Sequence, residues 1–434
     1  MRLLYILLSW LAFLLLAPVL LLHRKTRAGL LQRFGFYSAG AVPPGGWPRI
    51  WLHGASAGDL QALAPMVRRF RKRFPDCRIL LSTITNTGFL MARDRLASQV
   101  DAVVYAPWDL WGATRRALRV MRPDLLVLEY TELWPNLIHA AHAAGARVVL
   151  TNGRFAPERL SAYRVLLALA GNPLRELDLL LMREDGEAER ALSLGAPLER
   201  VWVTGNTKFD GLDVTAPGGH DDGLREALGL PAGTRALIAG STHEGEEELL
   251  LAVYRRLLAA YPDVKLVLAP RYIDRSGRVA ALAEGAGFRV GRRSAGATAT
   301  RGAQVVVLDT IGELSRAYRL ATLVFVGGSF TSRGGQNILE PAAQGKPVLF
   351  GPNMDNFSDS VQVLLGRGGI QVADAEHFEA LVSDLLARPE TCAQLGELAA
   401  QAVRQVSGAS QRNVDLVARL LGAAPPPVPG RPAP

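Results

Sequence analysis

Short apolar runs alternate with longer amphipathic stretches along most of this chain. The stretches between the runs have helical periodicity, as in Asp59–Phe74 and Leu133–Ala144. Strands that alternate with helices predict βαβ units and a parallel sheet. The first series of predicted strands is Arg49–His53, Arg78–Thr83, Ala102–Tyr105, Leu125–Glu129, Arg147–Thr151, Leu179–Met182 and Val201–Thr204.

The pattern then restarts after a polar segment. Residues 211–234 are rich in Gly, Pro and Asp, which is typical of a linker. We therefore predict an α/β fold of two doubly wound domains, residues 28–210 and 235–422, whose ligands bind beyond the carboxyl ends of the strands in a cleft between them. The Pro-rich residues 423–434 predict a disordered tail. The second series of predicted strands is Ala236–Ala239, Lys265–Ala269, Gln304–Leu308, Thr322–Val326 and Pro347–Phe350.

An apolar segment precedes both domains. Leu3–Leu22 is uncharged, and about 20 such residues can cross the hydrocarbon layer. His23, Arg24, Lys25 and Arg27 follow it, and positive flanks stay on the cytoplasmic side, so residues 1–27 predict a membrane anchor with both domains in the cytoplasm. A cleaved signal peptide would have a shorter apolar core and a small-residue cleavage site. Pro18 leaves open a helix that lies shallow instead of crossing.

Composition adds the class of partner. A chain of 434 residues exceeds one hydrophobic core, which agrees with two domains. The formal net charge of +9 favours an anionic partner, such as a membrane surface, a phosphorylated lipid or a nucleotide. No nucleic-acid-binding module is recognisable, so we expect no nucleic acid. Cys77 and Cys392 form no metal-ligand pattern and indicate free thiols.

The first motif with chemical potential follows the first predicted strand. His53–Asp59 reads HGASAGD, and its glycines allow a substrate to approach the N-terminus of the next helix. Asp59 is either a reactive carboxylate or a first-turn residue that complements the helix dipole. The same segment matches G-x-S-x-G, so Ser56 could be a hydrolase nucleophile. That fold places several strands before its nucleophile, whereas here only the apolar and basic segments precede it.

Two further motifs follow strands of the first domain. Glu129 and Glu132 lie in EYTELWPN beside Trp134, where carboxylates can bind hydroxyls or orient a base. Glu132 could instead cap the next helix. Lys208 lies in TGNTKFD just past the last strand of the domain, where it either binds a phosphate or carboxylate or is solvated.

The second domain contains a candidate nucleotide-phosphate site. Ser241 and Thr242 follow a predicted strand and suggest N-cap residues of the next helix. Arg271 offers a guanidinium suited to phosphate. Paired glycines would present free backbone amides to an anion beside a helix N-terminus. The candidate residues of this group are Gly327, Gly328, Arg333, Gly335, Asn337 and Glu340.

These motifs together resemble the 3-deoxy-D-manno-octulosonic acid (Kdo) transferases. The resemblance covers almost the whole chain, from Gln32–Gly35 to the helices after Gly351. It is carried, in order, by HGASAGD, LSTITNTG, YAPWD, EYTELWPN, VTGNTKFD, GSTHEGEE, APRY, FVGGSF, RGGQNILEPA and GPN.

The resemblance implies a GT-B fold and inverting transfer of Kdo from CMP-Kdo to a lipid A precursor, lipid IVA, with no metal or other cofactor. The base of the family falls on Asp59, and the carboxylates of its ELWPN motif fall on Glu129 and Glu132. Ser56 and Gly58 belong to the same acceptor-side motif. Its donor contacts fall on Lys208, Ser241, Arg271, Gly328, Asn337 and Glu340.

The chain departs from the family pattern at four positions. Asp59 stands where the family usually has Glu, one methylene longer, and Tyr272, Gln336 and Asn353 stand where it commonly has His. A related transferase that uses another sugar or acceptor, or a non-catalytic binding homologue, therefore remains an alternative.

Overall fold

The computed structural model describes residues 2–22, 24–38, 40–211 and 221–422. Within them the chain forms two compact units, the first of residues 2–211 with 407–422 and the second of residues 221–406. Each unit contains a seven-stranded sheet in which every strand pairing is parallel. The predicted α/β class, with two Rossmann-like domains, is confirmed.

The sheet of the first unit has the strand order β3-β2-β1-β4-β5-β6-β7. The chain therefore leaves β1 in one direction and returns to add β4 on its other side, which makes the β1/β4 boundary a topological switch point. The strands are β1 (Arg49–His53), β2 (Arg78–Thr83), β3 (Ala102–Tyr105), β4 (Leu125–Glu129), β5 (Arg147–Gly153), β6 (Leu179–Met182) and β7 (Val201–Val203).

Helices cover both faces of this sheet. Trp51 faces a core that includes residues of α6, α7, α8 and α9, whereas its neighbours Ile50 and Leu52 face a core built with α4, α5 and α19. This alternation follows from the two-residue period of a strand. The helices of the first unit are α1 (Arg2–Leu22), α2 (Arg24–Arg27), α3 (Leu30–Arg33), α4 (Ala57–Arg73), α5 (Asn86–Arg95), α6 (Trp111–Met121), α7 (Pro135–Ala143), α8 (Leu160–Ala170), α9 (Asp185–Ser193) and α19 (Ala409–Leu420), with 3₁₀ turns at Pro157–Arg159, Pro173–Glu176, Leu198–Arg200 and Thr207–Gly211.

Aspartates fix the amino edge of the same sheet. Asp124 accepts a hydrogen bond from the Arg49 N–H at 2.7 Å, Asp101 accepts one from the Ile79 N–H at 2.7 Å, and Asp178 accepts one from the Val148 N–H at 2.8 Å. These carboxylates satisfy strand amides that have no partner in the ladder. The predicted site residues lie at the opposite, carboxyl edge of the sheet.

The second unit has the strand order β10-β11-β9-β8-β12-β13-β14, with its switch point between β8 and β12. Its strands are β8 (Ala236–Thr242), β9 (Lys265–Pro270), β10 (Val290–Arg292), β11 (Val305–Val307), β12 (Leu323–Val326), β13 (Val348–Phe350) and β14 (Gly369–Gln371). Its helices are α10 (Asp222–Ala227), α11 (Glu246–Ala260), α12 (Ser276–Gly285), α13 (Ala297–Thr300), α14 (Leu314–Tyr318), α15 (Leu339–Ala343), α16 (Ser358–Leu364), α17 (Ala375–Ala387) and α18 (Pro389–Val406), with 3₁₀ turns at Ile273–Arg275, Arg293–Ala295 and Asp355–Phe357.

The domain boundaries differ from the predicted ones. Helix α10 occupies part of the predicted linker, because Leu224 and Leu228 bury apolar side chains. Helix α19 belongs to the first unit, where Val414 and Val417 join the core beside α4. Residue 23 of the predicted basic flank, residues 212–220 of the linker and the predicted tail at 423–434 lie outside the described residues.

Helix α1 has the length and apolar composition of a membrane-crossing helix over Arg2–Leu20. This finding is consistent with the predicted anchor.

Candidate active site

The predicted acceptor-side residues of the first unit lie at the carboxyl edge of its sheet. His53 ends β1, Glu129 ends β4, and the two strands are hydrogen-bonded neighbours at the switch point. Ligands of doubly wound sheets bind at this position, because the loops after the two strands diverge there. The first two predicted motifs therefore lie next to each other in the folded unit.

Asp59 and Ser56 form a capping box at the start of α4. The Ser56 N–H donates to Asp59 Oδ2 at 2.8 Å, and the Asp59 N–H donates to Ser56 Oγ at 3.4 Å. Oδ2 therefore caps the helix, as the second interpretation of Asp59 predicted, whereas Oδ1 accepts no hydrogen bond within the described residues. Gly58 is exposed, and a Cβ there would meet only Ser56 Oγ at 3.7 Å, so the N-terminus of α4 is open to a substrate.

Glu129 is fully buried beside this helix N-terminus. Its carboxyl group is bonded to Thr151 Oγ1 at 2.5 Å and to Asn152 Nδ2 at 2.8 Å. Burial raises the pKa of Glu129 to about 8, the hydrogen bonds from Thr151 and Asn152 oppose this, and the nearby charge of Asp59 raises the pKa further. The raised pKa favours the protonated form of Glu129 at neutral pH.

Because the pKa of Glu129 is higher in the folded chain than its ordinary value of 4.5, folding takes up a proton at this group. The stability that Glu129 contributes is fully present below about pH 4.5 and is lost as the pH rises through about 8. We expect Glu129→Gln, which is neutral at every pH, to remove this decrease. Urea unfolding of both proteins at several pH values measures it, and identical pH dependence in the two would contradict a buried neutral Glu129.

His53 links Glu132 to the sheet. Trp51 Nε1 donates to Ser82 Oγ at 2.7 Å, and Ser82 Oγ lies 2.9 Å from His53 Nδ1. His53 Nε2 faces Glu132 Oε2 at 3.6 Å, and Trp134 Nε1 donates to the same oxygen at 2.7 Å. Glu132 is thus oriented by the Trp134 hydrogen bond, with the His53 ring beside the same oxygen.

Thr207, the residue before Lys208, is connected to Glu129 by hydrogen bonds through Asn152. The Asn152 amide, which donates to Glu129, also donates to Thr207 Oγ1 at 2.7 Å and accepts from the Thr207 N–H at 3.0 Å. Lys208 follows directly with an exposed side chain. Asp210, in the same turn, accepts hydrogen bonds from the amides of Gly408 and Ser410 and so caps α19.

In the second unit, Glu246 occupies the centre of the predicted glycine-rich site. This buried carboxylate accepts hydrogen bonds from the N–H groups of Gly328 at 2.8 Å, Ser329 at 3.0 Å, Phe330 at 3.0 Å and His243 at 2.9 Å. Three successive amides directed at one anion form a nest of the kind that binds phosphate. Here the protein supplies the anion from the first residue of α11.

The prediction that these glycines present free amides is therefore wrong. The Gly328 N–H donates to Glu246, the Gly327 N–H donates to Gly240 O at 2.9 Å, and the Gly335 N–H donates to Gly328 O at 2.8 Å. Gly327 is needed for close approach, because a Cβ there would lie 2.6 Å from Thr242 Cα and 2.7 Å from Ser241 O. The glycines shape the loop around Glu246.

The predicted N-cap role of Ser241 and Thr242 is also wrong. Both residues lie in β8, and the N-cap of α11 is Gly245 with φ of 92°, a conformation that glycine adopts without strain. Thr242 Oγ1 instead donates to Glu247 at 2.9 Å. The helix near Asn337 begins only at Leu339 and has five residues, so its dipole is small.

The remaining donor-side residues surround this loop at the carboxyl edge. Asn337 Nδ2 donates to Glu340 Oε1 at 3.2 Å. Burial raises the pKa of Glu340, while Asn337 and the positive charge of Arg271 lower it. Arg271 is exposed just past β9, and Arg333 is exposed in the loop after β12. The unit thus offers two guanidinium groups to an anion outside the occupied nest.

His243 lies in the same group, although it was not among the predicted site residues. Its ring packs edge-on to Tyr272 with the centroids 5.8 Å apart. Burial lowers the pKa of His243, the charge of Glu246 opposes this, and Arg333 lowers the pKa further. Tyr272, which stands where the family commonly has His, thus packs edge-on against the imidazole of His243.

Strained backbone marks both sites. Tyr130, Asn152 and Ser241 have φ of 57°, 56° and 56°, which non-glycine residues rarely adopt. Each lies within one or two residues of the carboxyl end of a strand that borders a candidate site. Such strain persists where the surrounding structure overdetermines it, typically at functional sites.

Comparisons with known proteins identify a family. The family model described as 3-deoxy-D-manno-octulosonic-acid transferase (kdotransferase) matches residues 28–211. The chain is 32% identical over 404 residues to a 3-deoxy-D-manno-octulosonic acid transferase of Haemophilus influenzae, which covers 91% of each chain. The chain belongs to the Kdo transferase family. The transferase of Bordetella pertussis is 32% identical over 428 residues, 94% of this chain and 97% of that relative.

A solved structure shares the fold of this Kdo transferase. The UDP-GlcNAc 2-epimerase from Neisseria meningitidis aligns with a TM-score of 0.58 at 13% identity, over 86% of this chain and 100% of that one. At this identity the likeness shows the fold alone, a GT-B-type pair of Rossmann-like domains.

Family membership makes the protein a glycosyltransferase and removes the hydrolase alternative. The structure agrees, because the hydroxyl of Ser56 caps α4 and no imidazole is bonded to it within the described residues. Five residues of the two candidate sites were not among the predicted site residues: His53, Asn152, Thr207, His243 and Glu246. All of them except Asn152 lie inside the motifs given above, but important partners, such as Ser82 for His53 and Gly328 for Glu246, are distant in sequence.

Proposed function

We propose that this protein transfers Kdo from CMP-Kdo to a hydroxyl group of the lipid A precursor lipid IVA, with inversion at the anomeric carbon. The observation that carries the proposal is the carboxylate group at the β1/β4 switch point. Asp59 has one oxygen that is not used for capping, next to Glu129, whose raised pKa favours the protonated form. One basic oxygen beside neutral and hydrogen-bonding neighbours is the arrangement that a general base requires.

In the proposed step the oxygen of the acceptor hydroxyl attacks the anomeric carbon of Kdo. The hydroxyl proton passes to Asp59 Oδ1, and the bond from the anomeric carbon to the phosphate oxygen breaks, which releases CMP. Glu132, oriented by Trp134 beside the His53 ring, accepts a hydrogen bond from a second hydroxyl of the acceptor. Positioning of this kind lowers the entropic part of the barrier.

On the donor side we propose that side chains, and not the glycine amides, bind the nucleotide. Arg271 and Arg333 are exposed guanidinium groups that suit the phosphate of CMP, and Asn337 and Glu340 suit the ribose hydroxyls. Lys208 would bind a phosphate or the Kdo carboxylate. Cationic stabilisation of the leaving phosphate allows transfer without a metal or other cofactor, so activity should survive chelation by EDTA.

The acceptor places the proposed reaction at a membrane. Lipid IVA is anionic and lipid-bound, and α1 has the composition of a membrane segment. We propose that α1 attaches the protein to the inner membrane with both units in the cytoplasm, as the positive residues after the helix favour.

The test is incubation of the purified full chain with CMP-Kdo and lipid IVA, followed by mass spectrometry of the lipid. We expect lipid products heavier by one or more Kdo groups and release of CMP that depends on added lipid. Products carrying another sugar, formed only when a different CMP-sugar is supplied, would replace the proposed donor. Binding of CMP without turnover of any donor would identify a non-catalytic homologue.

A further inference from the structure

One side of helix α1 is docked on the first unit along most of its length. Tyr5, Ser9, Phe13 and Ala17 are half-buried, whereas the residues on the opposite side are exposed. A spacing of four residues places these side chains in one stripe along the helix. At 1.5 Å per residue the stripe is about 18 Å long.

The contacts of this stripe are polar at its N-terminal half. Tyr5 Oη donates to Asp109 Oδ2 at 2.9 Å, and Asn136 Nδ2 donates to Ser9 Oγ at 3.4 Å. The guanidinium of Arg2 lies 4.6 Å from the centre of the Trp111 ring. The only hydroxyl groups on the inner stripe therefore each meet a polar partner on the globular unit.

Aromatic packing continues the contact further along the helix. Phe13 packs against Phe34 with ring centroids 5.6 Å apart and against Trp108 at 5.0 Å. Helix α8 also packs against α1. The stripe therefore contacts the first unit through hydrogen bonds in its N-terminal half and through aromatic packing further along.

The outward side of α1 is a continuous leucine surface. Leu3, Leu7, Leu11 and Leu15 are 70%, 60%, 54% and 72% exposed. Helix α8 extends this surface, since Val165 is 61% exposed. Apolar surface of this size is covered in a working protein.

These contacts are incompatible with a helix that crosses the bilayer. A crossing α1 would carry Tyr5 and Ser9 into the hydrocarbon, together with the groups bonded to them. Asp109 is half-buried and also accepts the amide hydrogens of Asn136 and Leu137, so it cannot separate from the globular unit without leaving the start of α7 unpaired. Polar backbone and carboxylate groups of this kind are not tolerated against lipid.

We propose that α1 lies in the plane of the membrane, clamped to the first unit by Tyr5–Asp109 and Ser9–Asn136, with its leucine surface and α8 inserted into the cytoplasmic leaflet. The occupant of the leucine surface is lipid. This inference rests on the membrane attachment proposed above, but not on the identity of the sugar or acceptor. It makes the first unit a monotopic membrane domain whose orientation is fixed by the helix.

The first test locates the two ends of α1 in the membrane. Arg2→Cys and Arg27→Cys are made separately in the full chain, and wild type is the blank because Cys77 and Cys392 are buried. A membrane-impermeant maleimide is applied to spheroplasts and to inverted inner-membrane vesicles. We expect both variants to react in inverted vesicles and neither in spheroplasts. Reaction of Arg2→Cys in spheroplasts would show that α1 crosses and would overturn the proposal.

The second test probes the clamp by oxidative cross-linking in membranes. Because Ser9 Oγ and Asn136 Nδ2 are 3.4 Å apart, the Ser9→Cys/Asn136→Cys pair should form an intramolecular disulfide and migrate faster on a gel. Leu8→Cys/Asn136→Cys is the matched control, with position 8 on the exposed side, and should not cross-link. Absence of the first cross-link, or a product of twice the mass, would overturn the docked helix in favour of a free helix or of a second copy.

Neither test depends on sugar transfer. A protein that fails the transfer assay but shows the expected labelling would contradict the proposed function alone. An active enzyme whose Arg2→Cys variant reacts in spheroplasts would contradict the in-plane helix alone.

Discussion

Asp59→Asn should lower the rate of Kdo transfer by about 10²- to 10⁴-fold, which is the usual contribution of a general base. The change removes the basic oxygen but not the fold. The asparagine carbonyl oxygen can still accept the hydrogen bond from the Ser56 N–H that closes the capping box. Steady-state kinetics with CMP-Kdo and lipid IVA measure the effect, which should fall on kcat.

The folded state should lose little in the same variant. Loss of a charge in the first turn of α4 costs about 0.3–1 kcal/mol, which corresponds to at most about 2–4 °C in Tm for a unit of this size. Binding of CMP should be unchanged, because Asp59 is not among its proposed ligands. Normal turnover by a well-folded Asp59→Asn protein would remove Asp59 from the mechanism.

Two further variants separate reach from structure. Asp59→Glu keeps a residue that closes capping boxes well and adds one methylene, so it should preserve or raise the rate if distance to the acceptor limits this enzyme. Asp178→Asn is the matched control. Asp178 accepts a backbone hydrogen bond of 2.8 Å at the amino edge of the same sheet, and its change should leave the rate unaltered.

The central strands could be predicted from sequence because parallel strands buried on both faces are continuous apolar runs. β1, β2, β3, β4 and β6 have the predicted bounds. The strands β10 and β14 were missed, since each has three residues, lies at an edge of its sheet and includes exposed polar residues such as Arg292 and Gln371. The edge strands β3 and β7 of the first sheet, by contrast, were predicted, because their sequences AVVY and VWV are apolar.

The site of the first unit could be predicted to a similar degree. Its motifs follow strands, and the carboxyl ends of neighbouring parallel strands share one edge. The raised pKa of Glu129 could not be predicted, because it depends on complete burial, and the opposing hydrogen bonds come from Thr151 and Asn152 at the end of another strand, β5. Likewise, a helical pattern predicts α19 but not its packing against α4.

The second site shows how a local pattern can mislead. Glycines after a strand indicated a phosphate nest, and the nest is present. Its anion, however, is a carboxylate that lies 82 residues earlier in the chain. The spacing of the glycines predicts the N–H donors of such a site, but it does not show which acceptor those donors already bind. The nucleotide phosphate in our proposal is therefore assigned to the guanidinium groups around the loop.

Glu246→Gln should destabilise the second unit by about 3–5 kcal/mol, the largest stability change we expect for a single isosteric substitution. Each carboxylate oxygen of Glu246 accepts two backbone hydrogen bonds, from Gly328 and His243 on one side and from Ser329 and Phe330 on the other. Glutamine replaces one oxygen by an NH₂ group, so donors would face donors and at least two buried N–H groups would lose their partners. Each such loss costs about 1–3 kcal/mol.

Thermal or urea unfolding of the full chain measures this change, and a decrease of about 6–20 °C in Tm is expected from the size of the unit. Glu248→Gln is the control, because Glu248 lies in the same helical turn and accepts one bond of 2.9 Å from the exposed Gly245 N–H. It should cost less than about 1 kcal/mol, as for an exposed cap. Equal Tm values for the two variants would mean that the loop amides do not depend on the Glu246 charge and are free for a nucleotide phosphate, as the glycine pattern had predicted.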